Sequence, residues 1–149
     1  MNSDKQTVYI ELGNLMREMV RVFKNRIAEQ TTEPVMISHE QFILLNAISN
    51  KKDDVIQKDM AEFLGKDKSS ILRLIDSLEE KDLIRRVVDK NDRRKNYLMV
   101  TKIGERVIKS YQKIGSDMIS EIQKGLTETQ LQNFLETVLH IKENATKLK

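Results

Sequence analysis

Apolar residues recur in steps of three and four along most of the chain, the pattern of helices that bury one face. Over residues 7–30 the recurring positions are Val8, Leu12, Leu15, Met16, Met19, Val20, Phe23 and Ile27, with Arg17, Glu18, Arg21, Lys24 and Arg26 between them. Residues 31–37 break the period and contain Pro34, the single proline. Ser38 with Gln41 three residues on predicts a capping box, in which hydroxyl and amide satisfy free backbone N–H groups at a helix start. That helix carries Phe42, Leu44, Leu45 and Ile48 and gives out in the polar run at 50–54. A short helix near 57–64 follows, with Met60, Ala61 and Leu64 as its apolar side, and Gly65 stops it. Asp67 then caps a further helix holding Ile71, Leu72, Leu74, Ile75 and Leu78, which ends near Lys81 and Asp82. Two short helices joined by a tight, glycine-containing turn outline a helix-turn-helix.

Beyond Leu83 the period changes to that of strands. Residues 83–88 and 97–101 are rich in β-branched and large apolar residues, and the polar stretch 89–96 between them reads as a hairpin loop, the wing of a winged helix. Helical spacing returns near Lys102 and runs through Val107, Ile108, Tyr111, Ile114, Met118, Ile119 and Ile122 to Leu126. Thr127 caps a last helix, whose stripe is Leu131, Phe134, Leu135, Val138, Ile141, Ala145 and Leu148. The expected fold is therefore mainly α with a small β-hairpin wing. It reads as one domain over 1–149, with a winged helix at 38–104 flanked by helices at 1–30 and 105–149.

Composition narrows the function classes. The 149 residues include no cysteine, which excludes disulfides, cysteine zinc sites, thiol nucleophiles and thiol redox sensing. No run of 18 apolar residues and no signal-peptide pattern occur, so a cytoplasmic location without membrane insertion is the expectation. Aromatics make up only 5% and charged residues 33%, a balance suited to long helices that complete their cores against a second subunit. Neither a glycine-rich phosphate loop nor an H-E-x-x-H motif is present, so an enzyme is not expected, nor is a cofactor. His39 and His140 are too few for a zinc sensor, and His39 reads as a capping or pocket-lining residue. Met16, Met19, Met36, Met60, Met99 and Met118 read as core packing, with an adaptable pocket lining as the alternative.

Charge changes the picture once it is placed along the chain. The net charge is +3, yet residues 85–95 alone carry +4 through Arg85, Arg86, Lys90, Arg93, Arg94 and Lys95 against Asp89 and Asp92. The other 138 residues sum to −1. A basic hairpin beside a helix-turn-helix suits contact with a phosphate backbone and a minor groove. At the start of the second short helix, Lys66, Lys68, Ser69, Ser70 and Arg73 cluster where a recognition helix meets base edges. Arg73 has the guanidinium needed for bidentate pairing with guanine O6 and N7. The plainer alternative for this cluster is helix capping by Asp67 and Ser70, with solvated lysines.

The stretch Gln57-Lys58-Asp59-Met60-Ala61-Glu62-Phe63-Leu64-Gly65, followed by Lys68-Ser69-Ser70-Ile71-Leu72-Arg73-Leu74-Ile75-Asp76-Ser77-Leu78-Glu79-Glu80-Lys81-Asp82-Leu83-Ile84, resembles the winged helix of MarR-type transcriptional regulators. The wing Asp92-Arg93-Arg94-Lys95-Asn96 is similar to that family's D-x-R wing. Val100-Thr101-Lys102-Ile103-Gly104 is similar to the L-T-x-x-G that opens its next helix. The resemblance implies a homodimer with interleaved terminal helices at 1–30 and 105–149. The dimer would bind a pseudo-palindromic duplex operator, typically as a repressor, and a small aromatic or phenolic effector would release it from a pocket between the dimerisation helices and the winged helix. It makes Arg94 the minor-groove arginine and Asp92 the carboxylate that shapes the wing. DNA contacts are expected from Lys66, Lys68, Ser69, Ser70 and Arg73 on the recognition helix. On the wing they are expected from Arg86, Lys90, Asp92, Arg93, Arg94 and Lys95. Departures from the pattern are Asp82 in place of glycine, Lys90 in place of proline, Lys95 in place of a small residue, and Ile56 in place of a Ser or Thr cap. Asp82 is expected to alter the join from helix to strand. The rival reading is a winged helix for protein–protein contact, its basic hairpin meeting an acidic partner.

Overall fold

A computed structural model describes residues 2–51, 55–88 and 96–148. The element order is α1 (Asn2–Gln30), α2 (His39–Asn50), α3 (Gln57–Leu64), α4 (Lys68–Glu80), β1 (Ile84–Val88), β2 (Asn96–Val100), α5 (Lys102–Ile122) and α6 (Glu128–Lys147). It is the mainly helical fold with a small antiparallel hairpin that the periodicity predicts. Among the described residues no helix is long and apolar enough to cross a membrane. The chain divides into two compact units, Met1–Gly115 and Ser116–Lys149, with the division inside α5.

In the first unit the core is built where the helices meet the hairpin. Leu44 and Leu45 of α2, Met60 of α3, Ile71, Ile75 and Leu78 of α4, Leu83 and Ile84 at the hairpin, and Val107 of α5 are fully buried. Phe23 and Ile27 bring the last turns of α1 into the core. Earlier on α1 the stripe is uncovered: Val8, Tyr9, Ile10 and Met16 are exposed. Gly115 allows α5 close to α1, since a Cβ there would sit 3.3 Å from the Phe23 ring.

The helix boundaries follow their caps. Ser38 and Gln41 form the expected capping box, with the Ser38 N–H donating to Gln41 Oε1 at 2.9 Å and the Gln41 N–H to Ser38 Oγ at 3.2 Å. Ile56 caps α3 without a side-chain bond of its own; the Asp59 carboxylate accepts the Ile56 N–H instead, at 3.4 Å. Thr127 caps α6 through a capping box with Gln130.

The hairpin pairs Ile84 with Val100, Arg86 with Leu98 and Val88 with Asn96. Thr101, expected at the end of the second strand, instead starts α5. Its Oγ1 accepts the Gly104 N–H at 3.0 Å while its O–H donates to the Asp82 carbonyl at 2.6 Å. Gly104 lies against the Leu83 carbonyl so closely that a Cβ would fall 2.2 Å from that oxygen. Asp82 takes φ +54, so the join expected to differ from a glycine join keeps a left-handed turn all the same.

Two expectations about burial are corrected. Met60 and Met118 are core residues, but Met16, Met36 and Met99 are exposed. Leu72, grouped with the inward residues of its helix, is 41% exposed, because it lies a quarter turn from the buried line Ile71, Ile75, Leu78.

In the second unit, α6 contains no buried residue. Phe134, Leu135, Val138, Leu139 and Ile141 are exposed and form an apolar face of this helix.

Candidate nucleic-acid interface

The turn between α3 and α4 is set by Gly65, whose left-handed φ of 59 lets the backbone reverse at the end of α3. Asp67 then starts α4: its Oδ1 accepts the Ser70 N–H at 2.9 Å and its Oδ2 the Ser70 hydroxyl at 2.6 Å. These bonds, the hydroxyl first, hold the Asp67 carboxyl below its ordinary value. Ser70 is thereby committed to the cap. Lys66 is also engaged, its Nζ donating to Glu40 Oε1 of α2 at 2.9 Å. That leaves Lys68, Ser69 and Arg73, all exposed, as the polar groups that α4 offers outward near its start. The sequence cluster of five therefore divides into two residues that shape the turn and three with open hydrogen-bonding capacity.

Positions 69, 72, 73 and 76 share one face of α4 by their i, i+3, i+4, i+7 spacing. Asp76 on that face would repel phosphate, but Arg86 of β1 reaches back and pairs with both Asp76 and Glu79. The Arg86 backbone N–H also donates to Glu79 Oε1, at 3.0 Å. Burial by itself would lower the Arg86 pKa; hydrogen bonds and charges from the two carboxylates outweigh it and raise the pKa. Arg86 thus sits at the base of the wing as a tie to α4, half-buried and ion-paired. Arg85 pairs with Asp82 at 3.3 Å. Lys90, Asp92, Arg93, Arg94 and Lys95 lie outside the described residues.

A second group of residues comes from α1, the segment before α2, the start of α2, and α5. A cavity of about 140 Å³ is lined by Phe23, Lys24, Ile27, Met36, His39 and Tyr111, among others. His39 stands edge-on to Phe23 with ring centroids 5.6 Å apart, and its Nδ1 is buried with no hydrogen-bond partner among the described residues. Burial, followed by the charge of Lys24, lowers the His39 pKa against the opposing charge of Glu40. The Tyr111 hydroxyl accepts the Ile37 N–H at 3.1 Å. The cavity wall is tied to α4: Lys81 Nζ donates to the Met36 carbonyl at 2.8 Å and to Gln41 Oε1 at 3.2 Å, and Gln41 Nε2 donates to Ser77 Oγ at 2.8 Å. In sequence His39 reads as a capping or pocket-lining residue, and it lines this cavity. Nothing in the sequence pointed to Gln41 meeting Ser77 and Lys81, 36 and 40 residues further on.

The MarR family model matches residues 37–95. Solved structures share the fold along nearly the whole chain. Streptococcus pneumoniae FabT, solved in complex with DNA, superposes with a TM-score of 0.81 at 19% identity, covering 97% of this chain and 99% of that one. The transcriptional regulator BldR from Sulfolobus solfataricus has a TM-score of 0.76 at 22% identity, over 95% and 96%. CouR from Rhodococcus jostii, solved bound to p-coumaroyl-CoA, has a TM-score of 0.74 at 21% identity, over 90% of each chain.

Proposed function

We propose that this chain, MarR-family sequence over residues 37–95 and MarR winged-helix in fold, is a transcriptional regulator that binds duplex DNA as a homodimer. The observation that carries the reading is the start of α4, where Lys68, Ser69 and Arg73 stand exposed on a helix whose opposite side is fully buried. In this arrangement α4 enters a major groove. Lys68 meets phosphate, Ser69 and Arg73 meet base edges, and Lys66 and Ser70 hold the turn that presents them. The wing continues the contact: Arg94 enters the flanking minor groove, Lys90, Arg93 and Lys95 neutralise phosphates, and Asp92 shapes the loop.

Two copies recognise a pseudo-palindromic operator, and the uncovered apolar faces of α1 and of α6 support the dimer. The action is repression, and a small aromatic or phenolic effector relieves it. The cavity beside Phe23 and Tyr111 supports this part of the reading, because the unpartnered His39 Nδ1 offers one polar anchor among aromatic walls.

A gel-shift assay on the promoter upstream of the protein's own gene, at two salt concentrations, tests the reading. The expected result is a specific complex, tighter than that with bulk competitor DNA, whose affinity falls steeply as salt rises. No duplex bound more tightly than competitor DNA would overturn it and favour an acidic protein partner for the basic hairpin.

A further inference from the structure

We infer that Leu72 is a specificity residue that reads the C5-methyl group of a thymine in each half-site, an inference that rests on the DNA-binding reading above. Ser69, Leu72, Arg73 and Asp76 form the outward face of α4. Asp76 is occupied by Arg86, and Ser70 and Lys66 are spent on the cap and on Glu40. The face therefore offers three open groups: the Ser69 hydroxyl, the Arg73 guanidinium and the Leu72 isobutyl group, which is 41% exposed beside them. A hydroxyl serves several bases and a guanidinium suits guanine. An isobutyl group has no hydrogen bond to give, and the one apolar feature on a major-groove edge is the thymine methyl. The contact also has a polarity. Leu72 is one turn before Asp76 on the flank that Arg86 ties to β1, so the thymine lies on the wing side of the base contacted by Arg73.

The test begins with selection of duplexes from a random library by the full chain. Each thymine of the selected half-site is then replaced by deoxyuridine, which removes the methyl alone, and binding is measured by fluorescence anisotropy at fixed salt. One thymine per half-site is expected to lose about fourfold in affinity on replacement, the factor for burying one methylene-sized group. In Leu72→Ala that penalty disappears while the melting temperature stays near that of the parent, since the side chain is not core. In Arg73→Ala, affinity for both duplexes falls but the fourfold ratio remains. Replacements that are all silent in the parent chain, or that cost Leu72→Ala as much as the parent, overturn the inference and leave DNA binding intact. A selection that enriches no sequence overturns the DNA-binding reading as well.

Discussion

Gly104 and His39 show how single residues constrain this fold. Gly104 has no room for a side chain, because a Cβ would lie 2.2 Å from the Leu83 carbonyl oxygen and 2.8 Å from Val100 Cγ1. The obstacle is mostly backbone at the junction of hairpin and α5, so it cannot rotate away. Gly104→Ala is expected to cost about 2–3 kcal/mol through overpacking, seen as a Tm lowered by roughly 5–10 °C in a thermal melt. An unchanged Tm would mean that the junction opens freely. The glycine of the L-T-x-x-G pattern was legible in the sequence, but its reason was not, since Leu83 lies 21 positions away. His39 makes a different demand. Its folded pKa is lowered by burial and by Lys24, so as pH falls the unfolded chain takes up the proton first. Its contribution to stability is complete above the ordinary histidine value of about 6.5 and is lost as pH falls from there through the folded value. Melts between pH 7.5 and 5.5 should therefore show a smaller acid loss in His39→Gln than in the parent. His140 is common to both proteins and cancels. Equal acid losses would rule out a penalty for protonating His39.

Helix starts were legible element by element, because each is written locally: Ser38 with Gln41, Asp67 with Ser70 and Thr127 with Gln130 all cap where the side chains predict. The basic residues of the wing were legible as a group but not as individuals. A +4 segment looks uniform in sequence, yet Arg86 faces Asp76 and Glu79 on another element, ten and seven residues away. Strand alternation alone does not say which carboxylates stand behind the sheet. This division separates two kinds of arginine experimentally. Arg86→Ala frees two carboxylates next to the outward face of α4 and unties the hairpin. It is expected to lower stability by about 1–2 kcal/mol, as for a partly exposed charged hydrogen-bond pair, and to weaken DNA binding as well. Arg94→Ala is expected to weaken DNA binding, to flatten its salt dependence by about one unit of slope, and to leave Tm unchanged. Denaturant melts and salt-titrated anisotropy on the two variants check both outcomes. A wild-type Tm for Arg86→Ala would show that the ion pairs contribute nothing to the fold.

At the scale of the whole molecule the question is what covers the apolar residues that the chain leaves in solvent. Single exposed leucines are ordinary on protein surfaces, but a complete helix without a buried residue is not. On α6, Phe134, Val138 and Ile141 follow one another at helical spacing and are 56%, 37% and 47% exposed, with Leu135 and Leu139 alongside at 51% and 54%. The first half of α1 repeats the situation with Val8, Leu12 and Leu15. Periodicity announced both stripes, but it could not say whether this chain or another buries them; in the single chain they stay open. A second copy is the occupant the homodimer reading requires, and it predicts a parent chain sedimenting at twice 17.4 kDa at micromolar concentration. Its Tm should rise with protein concentration, as mass action demands of a fold completed by association. Leu135→Glu combined with Val138→Glu places two charges within that face without touching any residue buried in the chain. The double variant is expected to sediment at 17.4 kDa and to lose the concentration dependence of its Tm. It should also bind a two-half-site duplex at least 100-fold more weakly, because joining two modules multiplies affinity by about that factor or more. Its affinity for a single half-site should stay near the parent's, since in the proposed arrangement that half-site meets α4 and the wing rather than α6. A parent chain that sediments at 17.4 kDa at every concentration would remove the dimer, and with it the reason for a palindromic operator.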